Sequence, residues 1–524
     1  MKQKTKNNIT SFLNFFSIPQ VRTFLYGLGI FLLIWISFDI CEGFRAIPYD
    51  NASSVHAFMA VGILFTIGYF FYLVGKKETS SKIWTLIFIA GAIMRVGYAF
   101  YTGPAIRQHD VEMYYGNWQL NLNGSGHFSY IYQLYSTWKL PSTMNWQFYH
   151  PPLWHFLVAV FLHIYGAIEG VSDFAILFRS SMIVSSFVGV ITLYVMRLLL
   201  EEITENKKVR FWAFVLLAFH PQFFIMSGWV NNDGLALLLS LVALLYAIRF
   251  YKKKSWKNAI VCAISFGLAV CTKVSSGMIA IPLAIFLFVS MRQEFKEKRG
   301  LRVSLQAASF VGIALLLGGW FPLRTYLKFG IAALSVPGLD PNTNAMSLIS
   351  YSFWQRFGLS FPFARLNDSI FCILRPNESG YLDYNAIFYT WKCAIFGEYS
   401  FYAARPFAVL LYLFHLLLSI FSIFAIVWVM VKERKKPNGI YRIAMLVIFV
   451  AQWIAYFIFQ ILYPMTCTQD FRYLTLILLP GAYFVAKFME NIETEKYGKW
   501  VQKGVALCLI CFACFSTIFY IFVS

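Results

Sequence analysis

Apolar runs of about 20 residues, each closed off by charge, recur along almost the whole of this chain. A run of that length, wound as an α-helix, matches a hydrocarbon core about 30 Å thick. No water reaches that core, so each crossing segment must satisfy its own backbone N–H and C=O groups, which an α-helix does. A polytopic, all-α membrane protein is therefore predicted. Of 524 residues, 59% are hydrophobic and only 13% charged, whereas soluble domains average about a quarter charged.

The net charge is +20, but the basic residues do not form a stripe. They fall in short clusters between apolar runs: MKQKTK, GKKETSSK, EEITENKKVR, KKKSWK, RQEFKEKRGLR, VKERKK and ENIETEKYGK. That pattern gives nucleic-acid binding little support. It suits cytoplasmic loops instead. Crossings are predicted near 24–41, 56–75, 83–101, 176–199, 210–228 and 233–250, in a hairpin over 257–291, and near 303–323, 406–430, 440–463, 471–488 and 501–522. The segment PPLWHFLVAVFLHIYG (151–166) is assigned to the outer interface, because a crossing there would expel EEITENKKVR to the outside.

The prediction is thus a bundle of about 13 helices in one membrane domain, 1–524, with a cytoplasmic N-terminus and an outer C-terminus. Two large non-cytoplasmic segments stand out. The first, 102–175, is expected to carry interfacial helices, and the second is 324–405. The basic N-terminus lacks a small-residue cleavage site after its first apolar run and reads as an uncleaved signal anchor. A bacterial plasma membrane is favoured over the endoplasmic reticulum. Cysteines such as Cys262, Cys271, Cys508, Cys511 and Cys514 lie in apolar runs without ligand-pair spacing, so neither a zinc site nor a disulfide framework is expected.

This topology sorts the unusual polar residues onto the outer side. RQHDVEMYYGNW (107–118) carries Asp110 and Glu112 just past a span. A carboxylate there can act as a general base on a hydroxyl, and a DxE pair can also bind a divalent cation. FYHPPLW places Tyr149 and His150 before two prolines that favour a helix start. WVNND supplies Asn231, Asn232 and Asp233, which can cap the next helix or bind a sugar. Lys273 in VCTKVSSGM, Arg472 in TQDFRYLTL and Arg324 at a span end either snorkel or await an anion. GEYS (397–400), with Lys392 upstream, is a further outer polar patch.

The order of these features resembles the GT-C glycosyltransferases. The likeness is nearest to the branch of protein O-mannosyltransferases and lipid A aminoarabinose transferases, carried by HDVE, FYHPPLW and HPQFFIMSGWVNND over residues 83–330. Two departures are visible. Three spans precede the loop here rather than one, and the acidic pair is spaced DxE rather than adjacent.

The resemblance implies a GT-C-like bundle and a donor sugar on a dolichyl or undecaprenyl monophosphate. Asp110 would deprotonate an acceptor hydroxyl on a glycan, lipid or protein and invert the anomeric centre, with Glu112 beside it. Arg472, Lys273, His150 and Arg324 would hold the donor phosphate. Tyr149, Asn231, Asn232 and Asp233 would hold sugar or acceptor. A divalent cation, held by Asp110 and Glu112 if present, is left open. The rival class is a transporter or flippase for a lipid-linked or anionic solute. It would line a mid-membrane route with charge, often within repeated halves, and no internal repeat is visible.

Overall fold

The computed structural model of the chain describes residues 19–43, 53–77, 79–111, 124–333, 335–337, 339–342, 346–359, 383–398, 405–436 and 439–522. Among these the regular structure is helical, and β pairing is limited to an isolated bridge between Ser347 and Met465. Eleven helical segments are long and apolar enough to cross a membrane. A twelfth is added when the bent pair Lys207–Phe219 and Pro221–Ser227 is taken as one span. The remaining difference from the expected 13 or so is Trp256–Thr272, an apolar helix of 17 residues.

The segment expected at the interface forms the 17-residue helix Leu153–Glu169 and stays outside the set of crossing helices. Pro151 and Pro152 precede it, as the sequence anticipates. It packs against the short helix His127–Thr137, and a 3₁₀ turn, Trp146–Tyr149, closes the approach to His150. Further along, Trp320–Phe329 carries the preceding span on until Gly330, at φ +69°, caps it in the left-handed region. The helix thus runs on past 324, where the second outer segment is expected to begin.

Charged residues gather at two ends. Glu202 holds Arg249 and Lys252, Lys208 reaches Glu493 at 2.8 Å, and Glu433 is ringed by Lys436, Arg442 and Lys487. With Lys432 to Glu495 at 2.6 Å, these contacts join EEITENKKVR, VKERKK and ENIETEKYGK, the clusters expected on one face. The helix Asp233–Lys252 has 20 residues, so Asp233 lies roughly 30 Å from that end. Asp110, Lys273 and Arg472 lie with Asp233.

One break in the bundle shapes that end. The span predicted over 210–228 is bent by 49° at His220–Pro221. Proline lacks the N–H that would continue the helix, so carbonyls one turn earlier lose their partners. Arg95, only 1% exposed, fills the gap, donating to the carbonyls of Ala218 (2.7 Å), Leu217 (3.0 Å) and Gly91 (2.9 Å). Its guanidinium also lies over the Phe223 and Phe224 rings. An arginine within a span is expensive; here the carbonyls freed by the break accept its protons. Pro221–Ser227 then delivers Gly228 and the WVNND segment to the end of the bundle that holds Asp110 and Arg472.

Candidate active site

The first outer segment is stapled to WVNND by a single side chain. Gln108 donates to the carbonyls of Gly103 and Gly228, each at 2.5 Å, and accepts from the Val230 N–H at 2.9 Å. Trp229 Nε1 donates to the Arg107 carbonyl at 3.2 Å, and Thr102 adds a bond to Gly228. Arg107 and Asp110 both occupy the left-handed region, at φ 52° and 57°. Non-glycine residues there are uncommon and cluster at functional sites. The Asp110 carbonyl accepts from the His127 N–H at 2.9 Å, and Val111 accepts from Phe128, so the turn is fixed on both sides.

Asp110 looks into a cavity of about 1220 Å³ that also exposes Asp233, Lys273, Glu398 and Arg472. Arg472 Nη1 is 3.4 Å from Asp110 Oδ2 and 3.9 Å from Asp233 Oδ2, while Lys273 pairs with Asp233. Arg472 also donates to the Tyr473 hydroxyl at 2.9 Å. One wall is apolar. Ile454, Ile458 and Leu462 line the cavity at a spacing of four residues, along one stripe of Gly439–Leu462. The same three side chains are 54%, 52% and 62% exposed on a helix long and apolar enough to span, so the cavity opens sideways where hydrocarbon would lie.

Most residues singled out from sequence meet here. Tyr149, His150, Asn232 and Asp233 line the cavity with Asp110, Lys273 and Arg472. Burial pushes the Tyr149 hydroxyl well above its usual range, so it stays a protonated donor. Burial, then the Lys273 charge, drives His150 well below the usual histidine value. His150 is thus a neutral imidazole, able to hydrogen-bond an anion but not to balance its charge.

Three residues behave differently. Asn231 Oδ1 accepts from the Asp233 N–H at 3.0 Å, a capping task at the helix start. Arg324 is absent from the cavity lining; it donates to the Pro141 carbonyl at 3.1 Å and lies over Phe321 and Phe329. Glu112 lies outside the described residues, as does any ion shared between it and Asp110.

Two carboxylates at the site carry no assigned role in the sequence. Glu398 of GEYS lies 2.9 Å from His109 Nδ1, and Asp470 of TQDFRY lies 4.0 Å from His109 Nε2. All three are at most 4% exposed. Burial pushes the Glu398 carboxyl up to about 8. Ligand atoms of His109, Glu398 and Asp470 fall within 4.8 Å of one another, so this trio could hold a metal ion. The sequence signal was the appearance of HDVE, GEYS and TQD at three outer ends of an apolar chain. Sequence alone does not say that the three ends converge.

Residues 149–317 match the family model described as dolichyl-phosphate-mannose-protein mannosyltransferase. That stretch contains Tyr149, His150, Asn232, Asp233 and Lys273, while Asp110, Glu398 and Arg472 lie outside it. No curated protein matches the chain. Among solved structures, the chain is similar to the archaeal oligosaccharyltransferase AglB from Archaeoglobus fulgidus in complex with an inhibitory peptide and a dolichol-phosphate. Identity is 16%, the TM-score is 0.48, and 84% of this chain and 56% of that one are covered. ArnT from Cupriavidus metallidurans, bound to undecaprenyl phosphate, gives 13% identity, a TM-score of 0.42, and coverage of 84% and 76%. The chain thus spans little more than half the length of the oligosaccharyltransferase.

Proposed function

We propose that this protein transfers a sugar from a polyprenyl-phosphate carrier to an acceptor hydroxyl at the non-cytoplasmic membrane surface. The observation that carries this is the cavity's shape. One end groups Asp110 with Arg472, and the other opens to hydrocarbon along Ile454, Ile458 and Leu462. A lipid tail suits the apolar opening and a phosphate suits an arginine fork. The match of residues 149–317 to the mannosyltransferase family model supports the same substrate class.

In this scheme Asp110 accepts the proton of the acceptor hydroxyl as its oxygen attacks the anomeric carbon. The C–O bond to the carrier phosphate breaks, and the configuration inverts. Arg472 moves from Asp110 towards the departing phosphate and stabilises its growing charge. Lys273, tied to Asp233, supplies a second cation nearby, while Tyr149 and His150 donate neutral hydrogen bonds. Asn232 and Asp233 face the sugar or acceptor.

The test is to reconstitute the purified chain in vesicles with a panel of polyprenyl-phosphate sugars. Transfer from at least one donor, with the product's anomeric configuration inverted by NMR, is expected. Retained configuration would exclude the single displacement, and vectorial movement of intact donor without transfer would favour a flippase.

A further inference from the structure

The short helix Phe353–Phe357 and its flanks, residues 346–359, lie outside the crossing helices, yet they carry a bare apolar surface. Trp354 and Leu359 are 78% and 79% exposed, and Ile349 and Phe353 are more than half exposed. The one charged residue of the segment, Arg356, is buried and donates to the Gln460 carbonyl at 2.6 Å. Four large apolar side chains within eleven positions, with no exposed charge among them, are poorly suited to water.

The backbone here asks little of water either. At the helix start Ser352 and Gln355 form a capping box. The Ser352 N–H donates to Gln355 Oε1 at 2.8 Å, and the Gln355 N–H donates to Ser352 Oγ at 3.4 Å. At the other end Asn385 Nδ2 donates to the carbonyls of Gln355 (3.2 Å) and Gly358 (2.7 Å). A helix whose end groups are partnered by side chains can leave water, because it brings few bare N–H or C=O groups into lipid.

Its position shows what lies against that surface. The Phe357 ring packs on Phe457 at 5.7 Å, and Arg356 reaches Gln460, both on the crossing helix Gly439–Leu462. Phe457 precedes the end of that helix by five residues, so the contact lies roughly 8 Å below it. Interfacial helices bury their apolar face about 5–10 Å into the boundary of headgroups and acyl chains. Ile458, Ile461 and Leu462 are exposed on the same stretch of the crossing helix, so lipid reaches this level. Upstream, the Leu348 N–H donates to the Pro464 carbonyl at 2.7 Å, and the Met346 carbonyl accepts from the Thr466 N–H at 3.0 Å. Both bonds tie the segment to the chain leaving the span, and Met346 lines the cavity.

We infer that residues 346–359 dock on the membrane surface, with Ile349, Phe353, Trp354 and Leu359 entering the leaflet at the cavity end of the bundle. The partner is the lipid layer itself, beside the sideways opening of the cavity. Tryptophan suits this boundary, having an apolar ring and a polar N–H. The inference concerns lipid contact alone, so its failure would leave the sugar-transfer reading untouched.

The experiment places the photoreactive residue p-benzoylphenylalanine at position 354, at 359 and, as a reference on the crossing helix, at 461. The native side chains there are at least 60% exposed, so the fold accommodates the probe. Each full chain is reconstituted in vesicles of phosphatidylethanolamine and phosphatidylglycerol, with an oligosaccharide added outside, then irradiated, digested and weighed by mass spectrometry. Phospholipid adducts at 354 and 359, at a yield matching that at 461, are expected. Loss of the lipid adduct at either position, with 461 still labelled, would overturn the inference. So would adducts at 354 and 359 to another polypeptide segment or to the oligosaccharide in place of lipid.

Discussion

Arg472 Nη1 lies 3.4 Å from Asp110 Oδ2, across 362 positions of sequence. A guanidinium at this place supplies a cation that a phosphate can recruit. Substituting Arg472 with Lys keeps the charge but loses the fork. Loss of a charge-assisted hydrogen bond costs about 2 kcal/mol, or about thirtyfold. The Arg472→Lys enzyme should therefore lose about that factor in kcat/KM for the lipid-linked donor, measured in vesicles at matched protein level.

Gln108 makes three buried hydrogen bonds that join the Asp110 turn to WVNND. Truncation to Ala strands the Val230 N–H and the Gly103 carbonyl away from water, while the Gly228 carbonyl keeps Thr102. Each stranded group costs about 1–3 kcal/mol. Gln108→Ala should lower the melting temperature in detergent and reduce turnover through displacement of Asp110. Gln108→Glu keeps the acceptor but loses the amide donor, so it should recover little.

Arg95 does not line the cavity but holds the carbonyls released at the bend before Pro221. Arg95→Met preserves much of the apolar stem and leaves those carbonyls bare. We expect a lower melting temperature than Arg95→Lys, which keeps one donor group. Equal stability of the two variants would mean that the carbonyl contacts contribute nothing.

Glu398 provides a pH signature. Its folded-state value is pushed up from 4.5 to about 8 by burial. The folded protein therefore binds this proton more tightly than the unfolded chain. That stabilising contribution is complete below pH 4.5 and is lost as pH rises through about 8. In metal-free buffer the melting temperature should carry a component that falls over this window, and Glu398→Gln should remove it. An identical pH profile in wild type and variant would contradict this assignment.

Much of the architecture was legible in the sequence because hydrocarbon imposes length and polarity on each span. The runs near 24–41, 56–75 and 83–101 correspond to the spans Thr23–Gly43, Ser54–Gly75 and Lys82–Thr102. The 49° bend at Pro221 was not foreseen, and Arg95, which satisfies the carbonyls it frees, lies more than a hundred residues upstream. At the site, Asp110, Lys273 and Arg472 stood out as charges at the ends of apolar runs. Glu398 and Asp470 did not, because their role depends on a convergence on His109 that only tertiary packing creates. Arg324 is the converse case. A cation at a span end looked like an anion site, yet aromatic faces and one carbonyl already engage it.

The most direct measurement is the rate of sugar transfer from a polyprenyl-phosphate donor by wild type and Asp110→Asn, in vesicles at equal protein level. General-base catalysis contributes about 10²–10⁴ in rate. If Asp110 takes the acceptor proton, the variant should fall by about that factor while still binding donor. Near wild-type transfer by Asp110→Asn would contradict Asp110 as the base.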